Sequence, residues 1–98
     1  MKKITNPLVN TLAEGSLYVA KQMMADAGAL LPRHTASLES VVFVHEGEII
    51  LDLGGEAIAL HSGQAISIPQ DVVHQIRVIS AFKGIHFMPR EISFKFLN

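Results

Sequence analysis

Apolar positions alternate with polar ones in short segments of this chain, and turn-forming residues separate the segments. In residues 48–53, for example, Ile49, Leu51 and Leu53 share one parity. A period of two places every second side chain on the same face of a β-strand. No segment combines a helix N-cap with a sustained period of 3.6 residues. The pattern therefore predicts an all-β protein.

Turn signals divide the chain into short strands at intervals of about ten residues, which is typical of a sandwich or a barrel. Gly54 and Gly55 predict a two-residue hairpin, because both can adopt a positive φ. Glu46 and Gly47 predict a turn or a bulge. The predicted strands are residues 16–25 (where the strand pattern outweighs a helical one), 40–44, 48–53, 56–60, 64–68, 74–79, 82–88 and 91–97.

The composition favours one compact domain that shares an apolar face. We expect residues 1–98 to form a single domain, since this length is common for one. Within it, residues 1–13 contain Pro7 and are expected to form a lead-in arm or an edge strand. Hydrophobic residues make up 49% of the chain and charged residues only 17%. This surplus, with Phe94 and Phe96 near the end, predicts a filled barrel and a homodimer.

The charge pattern argues against two classes of partner. Eight basic and nine acidic residues give a net charge of −1, and no basic patch suits a nucleic acid backbone. No apolar run approaches the ~20 residues that span a bilayer. The start of the chain lacks the apolar core of a signal peptide, so a cytoplasmic location is expected. There is no cysteine, and hence no disulfide or thiolate metal site.

The stretch GQAISIPQDVVH combines a turn glycine, a short apolar strand, a proline and a histidine. Gly63, Pro69 and His74 resemble, in type and spacing, the second half of the cupin motif. Asp71 stands where that motif has a second glycine, and Val78 stands where it has an asparagine.

An upstream stretch resembles the first half of the same motif. Gly28, His34 and Gly47 match its terminal glycines and its first histidine. Ala36 stands at its second histidine and Ser40 at its glutamate. The two halves occupy residues 28–78 in the expected order. The resemblance implies a jelly-roll β-barrel (a double-stranded β-helix), often a homodimer, with a pocket at the barrel mouth.

In metal-binding cupins the two motif halves bring three histidines and a glutamate to one divalent ion. By that resemblance this chain keeps two donors, His34 and His74. Ala36 has no donor atom, and the hydroxyl of Ser40 is a poor neutral ligand compared with a carboxylate. We therefore expect a degenerate or vacant metal site and no tightly bound cofactor.

Glu39 and His86 are the side chains that could complete a set for iron, manganese, zinc or nickel. Glu39 would need a bulge to turn it inward, because neighbouring side chains of a strand point to opposite faces. The alternative is a solvated Glu39 outside the barrel. His86 lies in an apolar strand, where it either faces the cavity or is half-buried and hydrogen-bonded to a neighbour.

If strict alternation holds, the barrel mouth forms a mostly apolar pocket with a few polar groups, which is usual for a small-molecule site. The predicted lining residues are His34, Ala36, Ser40, Val42, His74, Ile76, Val78 and His86.

Three function classes remain open. The first is a protein that binds a small polar or anionic molecule beside a degenerate metal site. The second is a divalent-metal-dependent enzyme, such as a dioxygenase, an isomerase or a decarboxylase. The third is a non-catalytic dimeric sensor or interaction module. No G-x-S-x-G, Walker or H-E-x-x-H motif is present.

Overall fold

The computed structural model describes residues 3–97, and these residues form eight antiparallel strands. The all-β prediction is confirmed, and no helix in the described part is long and apolar enough to cross a membrane. The strands are β1 (Leu8–Glu14), β2 (Tyr18–Ala25), β3 (Arg33–Ala36), β4 (Ser40–Leu53), β5 (Glu56–His61), β6 (Ala65–Ile68), β7 (His74–Pro89) and β8 (Phe94–Leu97).

Two long strands, β4 and β7, pair with each other and organise the barrel. The first part of β4 also pairs with β6, and its second part pairs with β5. The second half of β7 pairs with β2, whereas His74 at its start faces β3. Strand β1 pairs with β2 and has no second neighbour among residues 3–97, so it lies at the edge of the sheet.

The sequence predicted two strands where the structure has one long strand, in β4 and again in β7. In β4 the pairing with β7 shifts register three times between Val44 and Ile49, which marks bulges. Gly47 lies there with φ of +91°, and a Cβ at this position would overlap the carbonyl oxygen of Ala81. Bulges bend a strand without ending its ladder. The expected turn-or-bulge point is therefore a bulge, and the chain continues through it.

Strand β3 was not predicted, because its positions are polar or small and show no apolar alternation. It pairs with β8 along its whole length and meets β7 through His34 and His74. This short strand is important for the site, since it brings the two motif histidines into direct register.

The motif corner after β6 contains a residue with left-handed backbone geometry. Asp71, at the position of the motif's second glycine, has φ of +62°, which aspartate tolerates better than most residues. Its backbone N–H donates to the carbonyl of Ala36, 2.8 Å away. The corner therefore ties the second half of the motif to β3.

The hydrophobic core fills the interior of the barrel. Its buried members come from the inward faces of β4, β5, β6 and β7 and from the segment before β3. They are Leu31, Val42, Val44, Ile49, Leu51, Leu60, Ile68, Ile76, Val78 and Phe82.

Candidate ligand-binding site

A cavity of about 380 Å³ is lined by β1, β2, β3, β7 and β8, together with the segments before β1 and β3. This size lies within the range of small-molecule pockets. Most of its wall is apolar, and we call it the histidine cavity because two histidines line it. Its lining residues are Asn6, Pro7, Val9, Lys21, Met23, Leu31, Pro32, His34, Ile76, His86, Met88, Phe94 and Phe96.

His34 and His74 are neighbours across β3 and β7, with ring centroids 4.2 Å apart. The Nδ1 atom of His34 lies 3.1 Å from the carbonyl oxygen of Pro32, and that of His74 lies 3.0 Å from the carbonyl oxygen of Val72. A carbonyl can only accept a hydrogen bond, so each Nδ1 carries the proton and donates it. Each neutral ring therefore keeps its lone pair on Nε2.

Burial also holds both rings neutral. Loss of solvent lowers the pKa of His34, and its bond to the Pro32 carbonyl only partly opposes this effect. Burial likewise lowers the pKa of His74, and the nearby His34 lowers it further. Both side chains are therefore neutral imidazoles at neutral pH.

His86, on β7, is 7% exposed, and its Nε2 lies 2.8 Å from the Oγ of Ser40 on β4. Burial lowers the pKa of His86 to about 4, with smaller contributions from His74, His34 and Lys21. His86 is thus a third neutral imidazole at neutral pH, and its partner Ser40 is only 4% exposed.

Lys21 is the one charged side chain among the described residues that line the cavity. It stands directly opposite His86 in the pairing of β2 with β7. Lys21 is partly buried, and it takes part in none of the ion pairs found in residues 3–97. Sequence reasoning missed Lys21, although Val19 and Met23 on the same parity predicted the face of β2 to which it belongs.

Three of the eight residues predicted to line the pocket do line the histidine cavity: His34, Ile76 and His86. The other five are buried and contribute no cavity wall: Ala36, Ser40, Val42, His74 and Val78. Alternation separates inward from outward positions but does not give their height along the barrel. Val42 and Val78 therefore pack in the core, Ser40 packs beside His86, and His74 lies against His34.

The donor set does not fit the divalent ion that the resemblance implies. Among residues 3–97 no three side chains of histidine, cysteine, aspartate or glutamate come together as a group that could hold a metal. Glu39 is exposed and precedes β4, so no bulge turns it inward. Ser40 is engaged by His86, and structural metal sites need several convergent donors.

A second hollow, of about 450 Å³, lies beside Asp26, Glu46 and Lys83. Its lysine is paired with Glu46, Nζ to Oε2 being 3.7 Å, and no histidine lines it. The single cation of its described lining is already paired, so an anionic ligand would find no free positive charge there. We therefore place the candidate site in the histidine cavity.

Comparison with known proteins agrees with this architecture. The cupin domain family matches residues 22–85, more than half of the chain. The chain belongs to the cupin family. The jelly-roll fold expected for a cupin is thereby confirmed. No curated protein sequence matches this cupin significantly.

Solved structures similar to this cupin show the same fold at low sequence identity. The polyketide cyclase RemF from Streptomyces resistomycificus is 18% identical, with a TM-score of 0.85 over 99% of this chain and 75% of its own. A conserved protein of unknown function from Streptococcus pyogenes is 21% identical, with a TM-score of 0.75 over 89% of this chain and 76% of its own.

A salicylate 1,2-dioxygenase from Pseudaminobacter salicylatoxidans is 14% identical, with a TM-score of 0.84 over 93% of this chain. This cupin spans only 30% of the dioxygenase chain. At these identities the likeness establishes the fold, and the function has to be argued from the site.

Proposed function

We propose that this cupin binds a small molecule with an apolar, aromatic body and one carboxylate in the histidine cavity. The observation that carries the proposal is Lys21, a partly buried residue of the cavity wall whose ammonium group forms no ion pair with a carboxylate in residues 3–97. A ligand that fills an apolar cavity excludes water, and this strengthens the attraction between a charge on the wall and an opposite charge on the ligand. A ligand carboxylate would supply that opposite charge.

The neutral histidines support a ligand with a single negative charge. The lowered pKa values of His34, His74 and His86 keep these rings uncharged at neutral pH. Lys21 then gives the described cavity lining a charge of +1, which one carboxylate balances. The imidazoles of His34 and His86, which line the cavity, remain available for hydrogen bonds to the ligand.

The aromatic wall supports a flat apolar ligand body. The ring centroids of Phe94 and Phe96 lie 5.5 and 5.3 Å from that of His34. Aromatic rings at such distances favour offset or edge-to-face contacts, and a ligand ring can join the group. A salicylate 1,2-dioxygenase is among the similar structures, and its name denotes an aromatic acid, which is compatible with this ligand class.

The donor set gives no comparable support to a divalent-metal enzyme, because no three histidine, cysteine, aspartate or glutamate side chains of the described residues form a group that could hold a metal ion. The proposal therefore concerns ligand binding, with a degenerate metal site.

Isothermal titration calorimetry with benzoate and 2-naphthoate tests the proposal. Replacement of Lys21→Met keeps the length of the side chain and removes its charge. We expect it to weaken binding of both carboxylates by about tenfold or more, since charge-assisted hydrogen bonds are among the stronger polar contacts. The neutral amide of each acid should bind the wild type more weakly than the acid does.

Lys83→Met is the matched control, because Lys83 lies outside the cavity and pairs with Glu46. It should leave the affinity unchanged. The proposal is wrong if neither carboxylate binds the wild type at concentrations up to about 10 mM, or if Lys21→Met binds them as well as the wild type does.

A further inference from the structure

The buried pair of Ser40 and His86 determines which nitrogen of His86 carries a proton. The Oγ of Ser40 lies 2.8 Å from Nε2 of His86, and the hydroxyl has no other hydrogen-bond partner among residues 3–97. If His86 donated to Ser40, the hydroxyl proton would be left without an acceptor in a buried site. Buried polar groups are rarely left in that state. The hydroxyl therefore donates to Nε2, and the proton of the neutral ring is on Nδ1.

The Nδ1–H group of His86 is then available to a ligand. No described protein atom accepts a hydrogen bond from it. No fully buried side-chain nitrogen or oxygen in residues 3–97 lacks a partner, so Nδ1 lies at an accessible surface. His86 lines the histidine cavity, which provides that surface.

His34 has the opposite hydrogen-bonding polarity. Its Nδ1–H donates to the carbonyl of Pro32, and its Nε2 accepts. No described group donates to this Nε2. Because no fully buried side-chain nitrogen or oxygen in residues 3–97 lacks a partner, this Nε2 is accessible, and the cavity that His34 lines provides the accessible surface. The cavity therefore contains a cation at Lys21, a neutral donor at His86 and a neutral acceptor at His34.

We infer that Ser40 is a positioning residue that fixes His86 as a donor, and that the cavity selects carboxylates which also carry a hydroxyl or amino group. This inference rests on the proposed function and narrows its ligand class. The carboxylate would accept from Lys21 and His86, and the second group would donate to His34. A ligand that fills the cavity without that donor would displace water and leave the lone pair of His34 unmatched. Sites built to bond a ligand hydroxyl discriminate strongly against analogues that lack it.

The first test measures the tautomer of His86 directly by ¹⁵N nuclear magnetic resonance of its ring. We expect the wild type and Ser40→Thr to show a protonated Nδ1, because threonine keeps the hydroxyl. Ser40→Ala should lose this defined tautomer and move towards protonation at Nε2. Protonation of Nε2 in the wild type would overturn the inference. The wild-type spectrum alone decides this, so the test does not depend on whether the variants fold.

The second test is a calorimetric comparison of benzoate, the three monohydroxybenzoates and the three matching methoxybenzoates. At least one hydroxybenzoate should bind about tenfold tighter than its methoxy counterpart and than benzoate, as one additional matched hydrogen bond in a desolvated site predicts. His34→Phe keeps an aromatic ring and removes the acceptor, so it should abolish the preference while retaining benzoate binding. Ser40→Thr should retain the preference.

The outcomes separate the inference from the function on which it rests. If hydroxybenzoates and methoxybenzoates bind equally well, carboxylate binding stands and the selection for a donor is wrong. If none of the carboxylates binds, both carboxylate binding and the selection for a donor are wrong. The tautomer measurement then still tests whether Ser40 fixes His86 as a donor.

Discussion

Mild acid should destabilise this fold through His86 before the carboxylates titrate. The pKa of His86 is lowered from 6.5 to about 4 in the folded state, mainly by burial. Lys21, His34 and His74 are the charged or titratable groups that contribute to this shift. The unfolded chain then binds more protons than the folded chain between these two pKa values. The stability is therefore complete above about pH 6.5 and falls as the pH drops.

The size of the effect follows from the two pKa values. Between about pH 7.5 and about pH 5, protonation of His86 in the unfolded state removes about 2 kcal/mol from the free energy of unfolding. Small domains have only about 5–15 kcal/mol in total. The lowered pKa values of His34 and His74 act in the same direction. Carboxyl groups titrate mainly below about pH 5, so this window isolates the histidines.

Urea denaturation followed by far-ultraviolet circular dichroism measures the effect at several pH values. The midpoint should fall by about 1–2 M urea across the window, for a chain of this size. His86→Gln can keep a hydrogen bond to Ser40 and does not titrate, so its profile should be flatter by about 2 kcal/mol. His45→Gln changes an exposed histidine and should follow the wild type. The reasoning is refuted if His86→Gln and the wild type lose the same stability.

Three further predictions concern the bulge, the metal and the oligomer. Gly47→Ala should lower the free energy of unfolding by about 2 kcal/mol or more, because φ is positive there and the new Cβ would overlap Ala81. Gly55 has a similar φ but open space around it, so Gly55→Ala should lower the free energy of unfolding by only about 1 kcal/mol. Equal urea midpoints for the two variants would contradict this prediction. Elemental analysis of protein purified without a chelating tag should find far less than one metal ion per chain, and one tightly held ion would overturn the donor argument. The homodimer expected from the apolar surplus should appear in sedimentation velocity at micromolar concentration, and Leu12→Lys on the exposed edge strand β1 should weaken it; a wild-type monomer would contradict the expectation.

Much of the fold could be predicted because alternation, turns and the motif spacing are local signals. The hairpin at Gly54 and Gly55 is present, and both residues have a positive φ. The signals that failed are those that depend on distant partners. Strand β3 exists because β8 and His74 supply hydrogen bonds to a segment without an apolar period. Likewise, β4 continues past Gly47 because β7 pairs on both sides of the bulge.

Less of the site could be predicted, because parity gives the direction of a side chain and not its surroundings. His34 and His86 were assigned to the pocket and line it, whereas Val42 has the expected direction and is covered by the core. Lys21 shares the parity of the apolar residues Val19 and Met23 in β2. A charged residue on the otherwise apolar face of a strand is a sequence signal for a binding site. The bond between Ser40 and His86 joins positions 46 residues apart, which no local pattern indicates.

Ala36 and Ser40 stand where the cupin motif has two metal ligands, and together they have a consequence for the charge of the cavity. Relative to that motif, Ala36 lacks a donor, and Ser40 has a hydroxyl in place of a carboxylate, 2.8 Å from His86. A carboxylate at position 40 would favour the protonated form of His86, because an opposite charge at that distance raises the pKa of an imidazole. The hydroxyl has no charge, so burial dominates and the ring stays neutral. A serine in place of the motif's glutamate is therefore consistent with Lys21 as the single cation of the described lining, and this is the charge on which the proposed binding of one carboxylate depends.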